Sequence, residues 1–310
     1  MADRDGTTLE QSVYGRLIRA AARAPIGLKT SLFQRAAARL CRMAGAAPGE
    51  LVDTNLGLDP KLRCRIPLAK TNYVFGRPAN DPAERAALTL ARELSRDCAQ
   101  FVDVGANEGL YTLQAGVTGG GRLALHCFEP DDALRQRLTQ NLADNGVAAV
   151  VNPTAVSDSN GAAPFFRNIT DDASGSLTSY FSGRHATEIQ EVKTVALAGY
   201  FAERGILDAF VKIDVEGAGD QAWSGAAPAA DRIRYLLIEI LAPEVEKALP
   251  TRIQQETGFF GYYIRDYDLV QYVPDNYVYV APFWNWLFCR LDPQQLSARL
   301  KGQGFRVHRA

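Results

Sequence analysis

Five carboxylates close apolar runs of this 310-residue chain: Asp103 in FVDVG, Glu129 in LALHCFEP, Asp214 and Glu216 in VKIDVEG, and Glu239 in YLLIEI. An acid at the carboxyl end of a buried strand faces the crevice in which open α/β sheets bind their ligands. There it can accept the hydroxyls of a ribose, pair with a cation, or take the proton of a hydroxyl nucleophile, the last being worth on the order of 10² to 10⁴ in rate. Asp214, Glu216 and Glu239 are the candidate bases. His185 is a secondary candidate, since a lone histidine in a polar segment such as GRHATE is commonly a solvated residue. The three acids could also gather a magnesium ion that orients a hydroxyl. Acids are equally the ordinary polar termini of a parallel sheet, and no metal ligand is assigned. The chain has no Gly-x-Ser-x-Gly elbow, no P-loop and no clustered histidines, so hydrolase and phosphoryl-transfer readings lack their machinery.

The stretch FVDVGANEG, residues 101–109, organises these acids. Phe101, Val102 and Val104 predict a short buried strand, Gly105 a sharp turn, and Gly109 a helix that packs close to the strand and to a ligand. A dinucleotide site wants G-x-G-x-x-G to cradle a pyrophosphate. Here Asn107 stands where a middle glycine would, and Asp103 lies two residues before the turn. Glu129, followed by Pro130, falls roughly twenty residues on, where an acid accepts both hydroxyls of a ribose, a position that suits NAD equally well.

The glycine turn resembles the first motif of class I S-adenosylmethionine methyltransferases, whose cofactor carries a cationic sulfonium and an ammonium rather than a pyrophosphate. Together FVDVGANEG, CFEP, AVSDSNG, VKIDVEG and LLIEI resemble the FkbM family of S-adenosylmethionine-dependent methyltransferases, over roughly Asn55 to Val280. The resemblance implies a doubly wound, mostly parallel, seven-stranded Rossmann-like sheet with an antiparallel C-terminal hairpin. It implies S-adenosyl-L-methionine as cofactor, held by Asp103, Gly105, Asn107, Gly109, Glu129, Pro130 and Asp214. Ala155, Val156 and Ser157 would border the adenine, although a plain turn at Asp158 to Gly161 explains the same residues. The implied reaction is O-methylation of a hydroxyl on a sugar, glycan or secondary metabolite. Many related sequences place a histidine two residues after the fifth-strand acid; Leu241 occupies that place here, which weakens any histidine-based mechanism. A nicotinamide-dependent oxidoreductase and a non-catalytic methyltransferase-like binding module are the rival readings. The first lacks its glycine pattern; the second would have no need of Asp103, Glu129 and Asp214.

Around these motifs the elements alternate. A helix through Leu88, Leu90 and Leu94, capped by Asp81 with Pro82 at its first position, precedes the 101–104 strand. Strand 123–128, helix 131–144 and strand 148–152 follow, then an irregular stretch, 162–197, placed to shape an acceptor pocket. Strands 209–214 and 234–240, a helix from about Pro243, and FGYYIRDYDLVQYV with YVYVAP complete the sheet. The aromatics Tyr262, Tyr263, Tyr277, Phe283, Trp284 and Trp286 suit core and edge packing or a wall near the substrate, and a short helix through Leu291, Leu296 and Leu300 ends the fold. Strands alternating with helices require parallel pairing and right-handed crossovers. Residues 49–80 read as lead-in hairpins, with Tyr73 and Phe75 lining the cofactor mouth or, the better fit, serving as core aromatics, and 81–310 as the Rossmann-like core.

Residues 1–48 form a helical extension rich in Ala and Arg. One helix carries Val13, Leu17, Ile18 and Ala21 on a face; a second, capped by Ser31, sets Leu32, Phe33, Ala36, Leu40 and Met43 against Arg35, Arg39 and Arg42. Such helices offer a peripheral membrane contact, but their apolar faces are short and alanine-diluted, so packing on the catalytic domain is expected, and the chain from Gly49 onward is expected to hold cofactor alone. A net charge of −1 and a sequence pI near 6.3 argue against a whole-protein nucleic-acid binder, while leaving room for a local basic patch. The five cysteines are widely spaced without a C-x-x-C pair, which points to a reducing, cytoplasmic location rather than a disulfide scaffold or zinc site. No apolar run approaches eighteen residues and no signal-peptide pattern opens the sequence.

Overall fold

The runs QFVDV, ALHCF, AFVKI and IRYLLIE are apolar almost throughout, the pattern of strands covered by helices on both faces. In the computed structural model they become the centre of one sheet. The structure describes residues 13–23, 35–37, 39–41, 51–54, 58, 62–67, 81–168, 175–179, 187–241, 246–274 and 284–309. His185, Ser31, Tyr73, Phe75, Tyr277, Phe283 and the YVYVAP run lie outside these residues.

The strands in chain order are β1 (Leu51–Thr54), β2 (Cys64–Pro67), β3 (Gln100–Val104), β4 (Ala124–Phe128), β5 (Val150–Asn152), β6 (Ala155–Val156) and β7 (Gly161–Asn168). They continue with β8 (Thr187–Val195), β9 (Ala209–Ile213), β10 (Ile233–Glu239), β11 (Phe260–Arg265), β12 (Asp268–Gln271), β13 (Asn285–Cys289) and β14 (Arg306–His308). The main sheet has nine strands in the order β14-β12-β11-β13-β10-β9-β3-β4-β5. From β5 to β10 neighbouring strands are parallel. Strand β13 pairs antiparallel with β10, and β11 antiparallel with β13. These seven strands are the expected sheet; β12 and β14 lengthen its edge. Strand order turns back between β3 and β9, so the ligand crevice of a doubly wound sheet falls at their carboxyl ends.

Two sequence expectations change. The antiparallel neighbour of β10 comes from NWLFC, a run not read as a strand, and Trp286 within it is fully buried core, the packing expected of these aromatics. Covered on both faces, that strand lacks the alternation that would have marked it. Of the helix expected from about Pro243, Leu249–Thr257 is described, while residues 242–245 lie outside the described residues. The terminal helix spans Pro293–Arg299, closed by a capping box at Asp292 and Gln295, and is followed by the unforeseen β14. Asp81 caps its helix as the sequence indicates, accepting from the Ala83 and Glu84 amides.

Helices pack on both faces of the sheet. Leu197, Phe201, Trp223 and Ile253 bury one face, and Leu88, Leu94, Tyr111 and Leu296 the other. The β1–β2 hairpin docks on the helix Asp132–Asp144. Asn141 and Asn145 treat β2 as a sheet edge, accepting from the Arg65 and Arg63 amides at 2.7 and 2.9 Å. The helix Val13–Ala22 lies on this hairpin: Thr54 Oγ1 donates to the Ala22 carbonyl at 2.9 Å, and Arg23 pairs with Asp53. Ile18 and Ala22 join Val52, Ile66, Leu113 and Leu138 in one buried cluster. Among the described residues no helix is long and apolar enough to cross a membrane.

Because Ile18 is 1% exposed within that cluster, Ile18→Ala is expected to lower the unfolding free energy by about 2 to 5 kcal/mol, measured by urea denaturation. A change below about 0.5 kcal/mol, the scale of surface substitutions, would show that the helix contributes little to the core.

Candidate active site

The turn after β3 is built by contact between two strand ends. Asp214 donates its backbone N–H to the Val104 carbonyl at 3.0 Å. The Gly105 backbone, at φ +75°, passes so close that a Cβ there would sit 1.8 Å from the Asp214 carbonyl oxygen. The amides of Gly105 and Ala106 donate to the Phe128 carbonyl. Asn107 and Glu216 both adopt positive φ without being glycine, and such backbone strain collects at functional sites. Asn107 also caps its own turn, its side-chain oxygen accepting the Glu108 amide. Gly109 serves packing: its missing Cβ leaves room for the Leu138 side chain, 2.5 Å from where that atom would stand.

A cleft of about 510 Å³, open mouth included, lies over this turn. Gly105, Asn107, Glu129, Pro130, Ala155, Val156, Asp214 and Glu216 line it, together with Phe128, Leu134, Thr154, Phe165, Ser176, Leu177 and Val215. Ser157 is turned away, its amide bonded to the Val195 carbonyl and its own carbonyl pressed on Gly225. Strands β6, β8 and β7 form a separate three-stranded sheet beside the cleft. Ser176 bridges to β7 and donates its hydroxyl to the Val215 carbonyl at 3.0 Å.

Glu129 is buried, and each of its carboxylate oxygens accepts a backbone amide at 2.9 Å, from Asn107 and Asp131. Burial nonetheless pushes its pKa up to about 7, against those two amides. Asp103 lies beneath the cleft, fully buried, its Oδ2 accepting from the Thr112 amide and hydroxyl. It ties the first turn of the helix Leu110–Gly119 to β3.

Lys212, fourth of the five buried residues of β9, was not singled out from the sequence. A lysine inside an otherwise apolar run was the available signal. Its ammonium stands 2.9 Å from Asp214 and 3.6 Å from Asp103, over the Tyr111 ring at 4.6 Å. Burial works to lower its pKa, but Asp214 and Asp103 more than offset this and the net shift is upward. Glu239 moves well above the usual carboxylate range, through burial first and then the nearness of Asp214 and Glu216. Oxygens of Asp214, Glu216 and Glu239 lie within 4.8 Å of one another, hard donors that a divalent cation could use; Lys212 already supplies that group with one positive charge.

The strand order and the acid-rimmed glycine turn define a class I methyltransferase fold. The chain belongs to the FkbM methyltransferase domain family, whose model matches residues 103–267, just over half of its length. It is an S-adenosylmethionine-dependent methyltransferase. No curated protein matches the chain. Similar solved structures include a provisionally named RNA methyltransferase from Pyrococcus horikoshii, 16% identical over 70% of this chain and 86% of that one, with a TM-score of 0.36. The Pyrococcus abyssi tRNA (uracil-54, C5)-methyltransferase in complex with S-adenosyl-L-homocysteine is 11% identical over 68% of this chain, which spans only 38% of it, with a TM-score of 0.36. The precorrin-6y C5,15-methyltransferase of Geobacter metallireducens is 9% identical over 67% and 88%, again at 0.36. At such scores the assignment rests on the family match and the strand order.

Two outcomes follow from the turn. Gly105→Ala is expected to cost about 3 kcal/mol or more in urea unfolding, since the methyl meets backbone and φ is unfavourable; Gly109→Ala, also strained at φ +91° but meeting only the end of a flexible side chain, should cost less. Glu129 gives a pH signature. Its folded pKa of about 7 lies above its ordinary 4.5, so its contribution to stability is complete below about 4.5 and is lost as pH rises through about 7. Between pH 4.5 and 8 the parent should therefore lose on the order of 3 kcal/mol relative to Glu129→Gln. Parallel stability profiles for the two proteins would show that the carboxyl titrates normally.

Proposed function

We propose that this methyltransferase acts on a hydroxyl of a sugar, glycan or secondary metabolite, with Asp214 as the general base. The observation that carries the reading is the placement of Asp214: it lines the cleft at the carboxyl end of β9, beside the Lys212 ammonium that favours its ionised form. Glu216 and Glu239 converge on the same point, and Glu239, pushed toward its protonated form, is the acid least suited to take a proton.

S-adenosylmethionine, when bound, supplies the electrophilic methyl. The residues fit such a group: Gly105 leaves backbone exposed at the cleft floor, and Glu129 has oxygen lone pairs beyond the two amides it accepts. In this reading Glu129 receives the ribose hydroxyls, while Ala155, Val156, Phe128 and Leu134 give the apolar wall that a purine needs. Asp214 accepts the acceptor's proton as its oxygen attacks, and Phe165 and Leu177 exclude water. No magnesium is required by this scheme. Five free cysteines among the described residues fit a cytoplasmic setting.

The test is Asp214→Asn, scored against a panel of sugar, glycan and phenolic hydroxyl acceptors by mass spectrometry of methylated product. The variant should bind S-adenosylhomocysteine within about threefold of the parent while single-turnover methylation falls on the order of a hundredfold or more, because only the transition state loses an interaction. Full activity would leave Asp214 a strand-end acid; collapse of binding would make it a cofactor ligand instead.

A further inference from the structure

In the chemistry just described Lys212 serves only as the partner of Asp214, yet burying an ammonium costs several kcal/mol unless it is well paired. All five residues of β9 are buried, and a methionine or leucine would fill the position. Strand register sets Lys212 directly beside Asp103 of β3, and Asp214 follows two residues later on the same face. Asp103 Oδ1 is buried without a hydrogen bond, so the nearby ammonium is what compensates its charge. Around the cleft floor the acids are then Asp103, Glu129, Asp214, Glu216 and Glu239, the last driven toward its neutral form, and the cation facing them is Lys212.

A methyl donor is bound as a sulfonium cation and leaves as a neutral thioether. Positive charge drains from sulfur as the S–CH₃ bond breaks and the O–CH₃ bond forms, while the hydroxyl proton passes to a carboxylate. Uncompensated acids would hold the charged ground state more tightly than the transition state, which slows the step. We infer that Lys212 is a positioning residue that sets the charge of the donor pocket: it holds Asp214 at the cleft wall and offsets enough negative charge that sulfonium and thioether are bound with comparable strength. This rests on the methyltransferase reading of the cleft.

The experiment is calorimetric titration of S-adenosylmethionine and S-adenosylhomocysteine into the parent, Lys212→Met, Lys212→Arg and the double variant Lys212→Met with Asp214→Asn. A unit charge several ångströms away at an effective dielectric near 20 corresponds to roughly a tenfold to hundredfold change in affinity. The preference for S-adenosylmethionine over S-adenosylhomocysteine should therefore rise about tenfold or more in Lys212→Met, stay at the parent value in Lys212→Arg, and return toward it in the double variant. A purely structural lysine would weaken both ligands together; an unchanged ratio in Lys212→Met overturns the inference, as does an equal rise in Lys212→Arg. Should Lys212→Met fail to fold, the double variant, which removes one charge of each sign, decides: a ratio far from the parent's counts against the proposal. A parent protein that binds neither ligand would overturn the reading of the cleft itself, and this inference with it.

Discussion

The carboxyl edge of the sheet depends on one steric constraint: β3 and β9 meet so closely beyond Val104 that only a residue without a side chain fits between them. That contact fixes the height of Asp214 relative to the glycine turn. It also aligns Lys212 with Asp103, because the register that brings Gly105 under the Asp214 carbonyl is the register that pairs those two residues. Backbone packing therefore places the charges; the charges do not assemble the site themselves.

Once placed, the acids need a counter-charge. Four carboxylates near one strand junction would repel each other in a medium of low polarity. The structure answers with two devices: a lysine ammonium inside the sheet, and a glutamate driven toward its neutral form. Glu129 stands apart from this group, satisfied by backbone amides of the two loops it joins. The site thus separates an amide-lined acid from a cation-compensated cluster, two environments for one side-chain chemistry.

Much of this was legible in the sequence. The parallel strands announced themselves as apolar runs closed by acids, and Gly105, Asn107, Glu129, Pro130, Ala155, Val156, Asp214 and Glu216 do gather at one cleft. What could not be read depends on neighbours distant in the chain. Strand β13 carries no alternation because helices cover both its faces. Ser157 shares a motif with Ala155 and Val156, but the close approach of Gly225 turns it away. Gly109 answers both to its own positive φ and to Leu138, on another helix. Lys212 sat in plain view within VKIDVEG, yet its role appears only when β3 supplies Asp103 alongside it.

The sheet formed by β6, β7 and β8 shares no ladder with the main one. It is joined to the acid-bearing loop through a single described side-chain bond, Ser176 to Val215, and meets the helix Gly219–Ala226 where Gly225 admits the Ser157 carbonyl. Its β7–β8 arms extend into solvent, with Ile189 64% exposed. A ribbon attached in this way can lengthen, shorten or change its side chains at little cost to the strand pairing that positions Asp214 and Lys212. Recognition and reaction are thereby carried on separable pieces of backbone, so that divergence in the first can proceed without re-engineering the second.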